Sequence, residues 1–324
     1  QGVNDSHGTH VTGTVGGNRD GNEFHGVSWG SDIVVGNTGA TDSNNYGPFQ
    51  DHDYFYAGWK ALADDLIASN GADRGGVINN SWGTNARVMV LQVSYKDEKT
   101  GEIKWKTVKD EAGNMTYQHA GEGLGDRPTD PNKEGSYRWY PSGHLPANSV
   151  ADSEYEFFYS NMMYGDKFAA GEANSDKSFV DAAYEAVKGT NVVQIFTTGN
   201  RNMENPFYRP LYPYFNPEAE KHWIAVAGLQ IDYDEYQDEN GKWQIKYNYG
   251  TDGKYKYKWV DGFNEAGLAK WWTVVAPGDM IYSSTVDDKT GEAGYESWGG
   301  TSMAAPHVAG AMGVLMSRYQ DMSA

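Results

Sequence analysis

Three short runs, residues 192–196, 223–227 and 273–276, are apolar at nearly every position. A strand that is apolar on both faces belongs in the middle of a parallel sheet, because only there are both faces covered. Parallel strands need crossovers, and the intervening sequence supplies helical spacing. Phe55, Trp59, Leu62, Ala63, Leu66 and Ile67 fall on one helical face, ended by Gly71, and a strand at 77–78 follows. Residues 179–187 repeat the pattern with Phe179, Ala182, Ala183, Ala186 and Val187, closed by Gly189. A last helix is predicted from near Ser302 to Tyr319, and the β-branched run 33–35 reads as a further strand opened by Asp32. Strand and helix in alternation imply an α/β fold around a buried, mostly parallel sheet.

Two regions break this rhythm. Residues 84–177 are polar and aromatic with clustered turns, and 232–262 carry a Tyr/Lys/Trp alternation that predicts a β-hairpin around Asp252-Gly253. A structureless loop of about 90 residues is implausible within a compact domain. The first region is therefore read as an insertion with structure of its own, inside one domain spanning 1–324. No internal repeat is read.

Composition narrows the function. Lys plus Arg is 26 against 44 Asp plus Glu, a net charge of −18. That argues against binding a nucleic acid, which requires a basic face, and against docking on anionic lipid. The most apolar stretch near the C-terminus, 308–316, contains two glycines and is too short for a membrane span. With no cysteine, a thiol nucleophile, a disulfide and Cys-ligated zinc are excluded.

Three constellations carry chemistry. Ser6-His7-Gly8-Thr9-His10-Val11 sets two histidines at i and i+3. It lacks the spacing and the intervening glutamate of a zinc protease helix, so no metal is assigned to it. Gly299-Gly300-Thr301-Ser302-Met303-Ala304-Ala305-Pro306 sets a serine among small residues at a helix start, with Pro306 expected in the first turn. Such a serine is commonly a simple cap. Here the small neighbours leave room for a ligand to approach, and free N–H groups at the helix end suit an oxyanion. Thr197-Thr198-Gly199-Asn200 ends an apolar strand; its asparagine fits a turn, or an amide that donates to a developing negative charge.

Together, His-Gly-Thr-His-Val at 7–11, Val-Ile-Asn-Asn-Ser-Trp-Gly at 77–83, Thr-Gly-Asn at 198–200, Ala-Pro-Gly at 276–278 and Gly-Thr-Ser-Met-Ala-Ala-Pro-His-Val-Ala-Gly at 300–310 resemble the subtilases, the subtilisin-like serine proteases. The resemblance implies a three-layer sandwich, a mostly parallel sheet flanked by helices, and a serine endopeptidase that works through an acyl-enzyme. It implies His7 as general base, Ser302 as nucleophile, and Asn200 with the Ser302 N–H as oxyanion hole. Ser81, Trp82 and Gly83 are similar to the family's strand that pairs with substrate backbone. Thr197, Thr198 and Gly199 resemble the wall of the pocket for the residue before the scissile bond. His10 and His307 match the family pattern as structural residues. An α/β-hydrolase would need Gly-x-Ser-x-Gly followed by an acid and a distant histidine, and the sequence offers neither.

The family's aspartate belongs upstream of His7, where only six residues stand. Asp5 is too close along the chain to orient the ring, and Asp32 opens another strand. The expectation is a chain truncated at both ends and nearly inactive alone, from an active parent. No cofactor is required; calcium near Asp20 and Asn22 is the one metal expectation, from oxygen ligands in an Asn-Arg-Asp-Gly-Asn turn. Residues 264–278 and 25–37 resemble subtilase passenger domains of Gram-negative autotransporters. That implies an exported, secreted or surface protease acting on protein or peptide substrates, with a translocator barrel beyond the C-terminus. The competing reading is a non-catalytic surface binding module on a subtilase scaffold, with 84–177 as its binding face.

Overall fold

The computed structural model describes residues 6–19, 21, 24–36, 52–82, 88–111, 113, 124–142, 179–200, 202–287 and 289–319. The central sheet has the order β1 (Gly76–Asn80), β5 (Val192–Thr197), β6 (Trp223–Ile231), β10 (Thr273–Pro277), every pair parallel. β9 (Tyr257–Trp259) joins β6 antiparallel. Two of the apolar runs form the inner strands β5 and β6, and β5 is buried at all six positions; the third forms β10 at the edge of the described sheet, with Val274 and Val275 exposed.

Alternation along β5 sorts its residues onto two cores. Val192 and Phe196 pack with Ile78 against α2 (His52–Asn70) and α3 (Phe179–Val187). Val193 and Ile195 pack on the other side with Ala304, Ala305 and Ala309 of α5 (Thr301–Arg318). α1 (Ser6–Gly16) lies on that second side, against α5. The layers are thus helix, sheet, helix. α3 approaches closely because Ala182, Ala183 and Ala186 present almost no side chain, and all three are buried. No helix among the described residues is long and apolar enough to cross a membrane.

One polar chain is buried between α2, β1, β5 and α3. Trp59 Nε1 donates to Asn80 Oδ1 (2.9 Å), Asn80 Nδ2 to Gln194 Oε1 (2.8 Å), and Gln194 Nε2 to the Ala183 carbonyl (3.0 Å). Asn80 Nδ2 also reaches the Ile195 carbonyl at 3.2 Å, which ties the asparagine to both strands. Asn80→Leu is expected to leave the Trp59 N–H and the Gln194 oxygen without these partners. At about 1–3 kcal/mol for each buried orphan, the urea midpoint should fall by the equivalent of about 2–6 kcal/mol; an unchanged midpoint would refute the linkage.

Within 84–177 lies a separate antiparallel sheet, β3 (Ile103–Thr107), β2 (Val88–Lys96), β4 (Tyr137–Ser142). Within 232–262, β7 (Tyr233–Gln237) and β8 (Trp243–Tyr247) form a hairpin that turns at Asp238, earlier than expected. A second tight turn does fall at Asp252-Gly253, where Gly250 N–H donates to the Lys254 carbonyl at 2.7 Å.

Three readings need correction. Residues 33–35 lie outside any strand, with Val35 65% exposed; among the described residues no strand pairs with them. Pro306 is the sixth residue of α5, not in its first turn, so it has no N–H to give the Ser302 carbonyl one turn back. A short repeat also went unread: Asp-Glu-Lys-Thr-Gly-Glu at 97–102 recurs as Asp-Asp-Lys-Thr-Gly-Glu at 287–292. Both are hairpin turns built alike. In each the first aspartate's Oδ1 accepts the N–H groups of the lysine and threonine that follow (Lys99 and Thr100, Lys289 and Thr290). The glycine adopts a φ near +73° in both.

Candidate active site

Two helix N-termini and one strand end converge. His7 is the second residue of α1 and Ser302 the second of α5; Asn200 follows β5 directly after Gly199. All three line one cleft of about 430 Å³, with Trp298, Gly299 and Gly300 along its side. Position at the carboxyl end of a parallel strand, beside a helix N-terminus, is where open α/β sheets hold ligands.

The helices are held there by specific contacts. α1 packs on the hairpin β11 (Ile281–Val286) and β12 (Ala293–Trp298). Ser283 Oγ donates to the His10 carbonyl at 2.8 Å, and Gly13 leaves no space for even a Cβ beside Ser283 and Ser284. His10 is fully buried, stacks on Trp298 (4.8 Å, nearly parallel), and directs Nε2 at the carbonyls of Ile281 and Glu296 (3.0 and 3.2 Å). Those acceptors require the proton on Nε2. Burial lowers the His10 pKa, so the ring is neutral and structural.

β12 then enters α5 through Gly299-Gly300. Gly300 has φ 153° and ψ 157°, a backbone region essentially confined to glycine. Its N–H donates to the Gly278 carbonyl (2.7 Å), which ties the Ala-Pro-Gly segment to the serine helix. The Ser302 N–H has no helical acceptor behind it and points out of the helix end, along the positive pole of the dipole.

Asn200 is oriented by Thr301, a residue passed over in the sequence reading. Its Oδ1 accepts both the Thr301 N–H (2.9 Å) and the Thr301 hydroxyl (3.0 Å). The same hydroxyl accepts the Gly199 N–H at 3.2 Å. With Oδ1 occupied twice, the Asn200 NH₂ group must face the other way; a Cβ on Gly300 would lie 3.5 Å from it. Asn264, fully buried, locks the preceding turn. It donates from Nδ2 to the Thr198 carbonyl, accepts the Thr198 hydroxyl on its own carbonyl (both 2.9 Å), and gives its N–H to the Gly199 carbonyl (2.8 Å). Gly199, at φ 110°, has the Phe207 ring 2.4 Å from where a Cβ would stand. Neither support was legible in sequence, because the partners lie 65 to 102 positions apart, for example |i−j| = 102 for Gly199 and Thr301.

The other candidates are placed as follows. Thr197 and Thr198 are buried at the end of β5 and are not on the cleft surface. Ser81 and Trp82 follow β1, the strand beside β5; Ser81 is buried, and Trp82 stacks on Phe55 (5.6 Å) and Trp59 (5.9 Å) against the α2 core. Gly83, Asp20 and Asn22 lie outside the described residues. His307 directs Nδ1 at the Met303 carbonyl (2.8 Å) within α5.

Burial lowers the pKa of His10, His222 and His307 alike. A base with a depressed folded pKa stabilises the fold fully above its unfolded value of about 6.5 and loses that contribution as pH falls below it. The melting temperature is therefore expected to drop between about pH 6.5 and pH 5, ahead of carboxylate titration. A flat profile there in a thermal melt series would contradict the neutral, buried rings.

Comparison with known proteins finds similar sequences and similar solved structures. The chain is 26% identical over 336 residues to an extracellular serine protease of Serratia marcescens, covering 98% of this chain and 24% of the relative. It is 27% identical over 176 residues to the autotransporter lipoprotein NalP of Neisseria meningitidis, covering 54% of this chain and 15% of the relative. The chain thus spans about a quarter or less of the curated relatives it matches. Among solved structures, the prenylagaramide maturation protease PagA aligns with 99% of this chain and 67% of its own at 16% identity and TM-score 0.45. Fervidolysin of Fervidobacterium pennivorans aligns with 99% of this chain and 31% of its own at 19% identity and TM-score 0.40. The subtilase family model matches residues 2–324, effectively the whole sequence, and the chain belongs to the subtilase family.

Proposed function

We propose that the cleft is the reacting centre of a serine endopeptidase. The Ser302 hydroxyl attacks the scissile carbonyl while His7 takes its proton. The oxyanion that forms is held by Asn200 Nδ2 and the Ser302 N–H. The C–N bond then breaks, His7 gives its proton to the leaving amine, and the acyl group stays on Ser302 Oγ as an ester. Water, deprotonated by His7, attacks that ester and frees the acid. An aspartate beyond the far side of the His7 ring, contributed by chain upstream of it, completes the triad. Substrate lies extended, paired through its backbone with the main chain of Ser81-Trp82-Gly83, the Trp82 side chain staying in the core. The substrates are proteins or peptides outside the cell, as the extracellular and autotransporter relatives suggest. In the parent protein a translocator part accompanies the domain.

One observation carries this reading. His7, Asn200 and Ser302, drawn from opposite ends of the sequence, line the same cleft, and Thr301 turns the Asn200 amide away from its own hydrogen bonds. A binding scaffold has no need of all three. The test is a fluorophosphonate probe applied to residues 1–324 and, in parallel, to a chain extended upstream. Ser302 is expected to be labelled in the extended chain and much more slowly in 1–324. Absence of labelling in both supports the binding module instead, and equal labelling would remove the upstream aspartate from the mechanism.

A further inference from the structure

Trp298 is used by nothing in the mechanism above, yet it lines the cleft. One face of the indole is covered by His10, 4.8 Å away at an interplanar angle of 2°. The stacked imidazole holds the ring on that face, and the half-buried indole lies beside the cleft. The indole N–H is also occupied, donating to Glu296 Oε2 at 2.8 Å. Glu296 is exposed and shares a face of β12 with Trp298, two residues on. A second carboxylate stands behind the next residue: a Cβ on Gly299 would lie 2.5 Å from Asp279 Oδ1. An immobilised indole with one carboxylate on its N–H and a second beside the adjoining Gly299 favours a cation.

The side of the cleft this occupies can be read from α1. Trp298 packs on His10, one helical turn from His7. In the proposed reaction His7 protonates the leaving amine, so the His7 side of the cleft borders the leaving group. We infer that Trp298, with Glu296 and Asp279, selects substrates carrying lysine or arginine just after the scissile bond. The alkyl stem of such a side chain lies on the indole and its charge reaches the carboxylates. The inference rests on the proteolytic function proposed above and names the substrate class of that site.

The test uses internally quenched peptides that differ only at the position after the cleaved bond, with Lys, Ala or Glu there. It is run on the upstream-extended chain, with fluorophosphonate labelling of Ser302 measured on the same samples. The Lys peptide is expected to exceed the Glu peptide in kcat/KM by about tenfold or more at low salt, since partly exposed charges are weakened by screening. In the Glu296→Gln, Asp279→Asn double variant the Lys-to-Glu ratio should fall to near one. Trp298→Leu, which keeps both carboxylates, should lower the Lys-to-Ala ratio by about threefold, the part owed to the ring. Because every readout is a ratio within one variant, a partly unfolded sample does not mimic the result. A Lys-to-Glu ratio near one in the parent, or a ratio that survives the double variant, overturns this inference alone. Failure to label Ser302 overturns the function on which it rests.

Discussion

In the upstream-extended chain, Ser302→Ala is expected to lower peptide hydrolysis by about 10⁶ in kcat, and His7→Ala by a similar factor, with the pair together no worse than either alone. The magnitude is the one known for subtilisin, a member of the same family, and the reason is mechanical. In the proposed reaction Ser302 supplies the atom that bonds to the substrate and His7 supplies its only route for the proton, so removing one idles the other. What remains is binding and the oxyanion site, worth about 10³–10⁴ over water. Folding should survive both changes. Ser302 is only half-buried and makes room for Ala within a helix N-terminus already formed by Gly300 and Thr301. His7 is likewise half-buried on the cleft side of α1, whereas the buried ring on that helix is His10. The comparison that decides is therefore His7→Ala against His10→Ala. The first should lose turnover with an unmoved melting temperature. The second should lose stability, since it removes the stack on Trp298 and two hydrogen bonds to the β11–β12 hairpin. Reversal of that pattern would exchange the roles assigned to the two histidines.

Much of this architecture was legible from one-dimensional pattern. The two-sided apolar runs at 192–196, 223–227 and 273–276 became β5, β6 and β10, and the 179–187 helix appears with those limits. Those signals are local, and for β5 and β6 burial on both faces leaves little alternative to a central strand, whereas β10 closes the described sheet with Val274 and Val275 exposed. What could not be read is whatever depends on a partner far away in sequence. The 33–35 run has the composition of a strand, but composition does not provide an edge to pair with. Pro306 looked like a first-turn proline because helix starts tolerate it; the helix in fact begins at Thr301 and carries the ring at its sixth position. Trp82 offered two readings, and its stacking on Phe55 and Trp59 favours the core over the substrate wall. The site shows the same division. His7, Asn200 and Ser302 stood out by residue type and neighbours. Thr301 and Asn264 did not, although both stood in plain view, because a threonine before a serine reveals nothing about which oxygen its hydroxyl will meet.

Thr301 gives the second large effect its structure. Asn200→Ala is expected to lower kcat by about 10²–10³ with little change in KM, the loss that follows removal of one oxyanion donor in subtilisin itself. Thr301→Val keeps the shape and the N–H that reaches Asn200 Oδ1 at 2.9 Å, but deletes the hydroxyl that links Oδ1 to the Gly199 N–H. The amide then has one anchor instead of two, and the expected loss is smaller, about tenfold in kcat, a fraction of the whole donor's worth. Thr301→Ser retains the hydroxyl and should stay near the parent. A stability effect is expected too, because the buried Gly199 N–H loses its acceptor at a cost of about 1–3 kcal/mol. Stability alone cannot mimic the decisive result, which is an interaction between the two sites. If Thr301 acts by aiming the Asn200 amide, then Thr301→Val on the Asn200→Ala background has nothing left to aim and should cost almost no further kcat. If instead the tenfold loss persists in the double variant, the hydroxyl serves the reaction or the fold by some other route, and the orienting role falls.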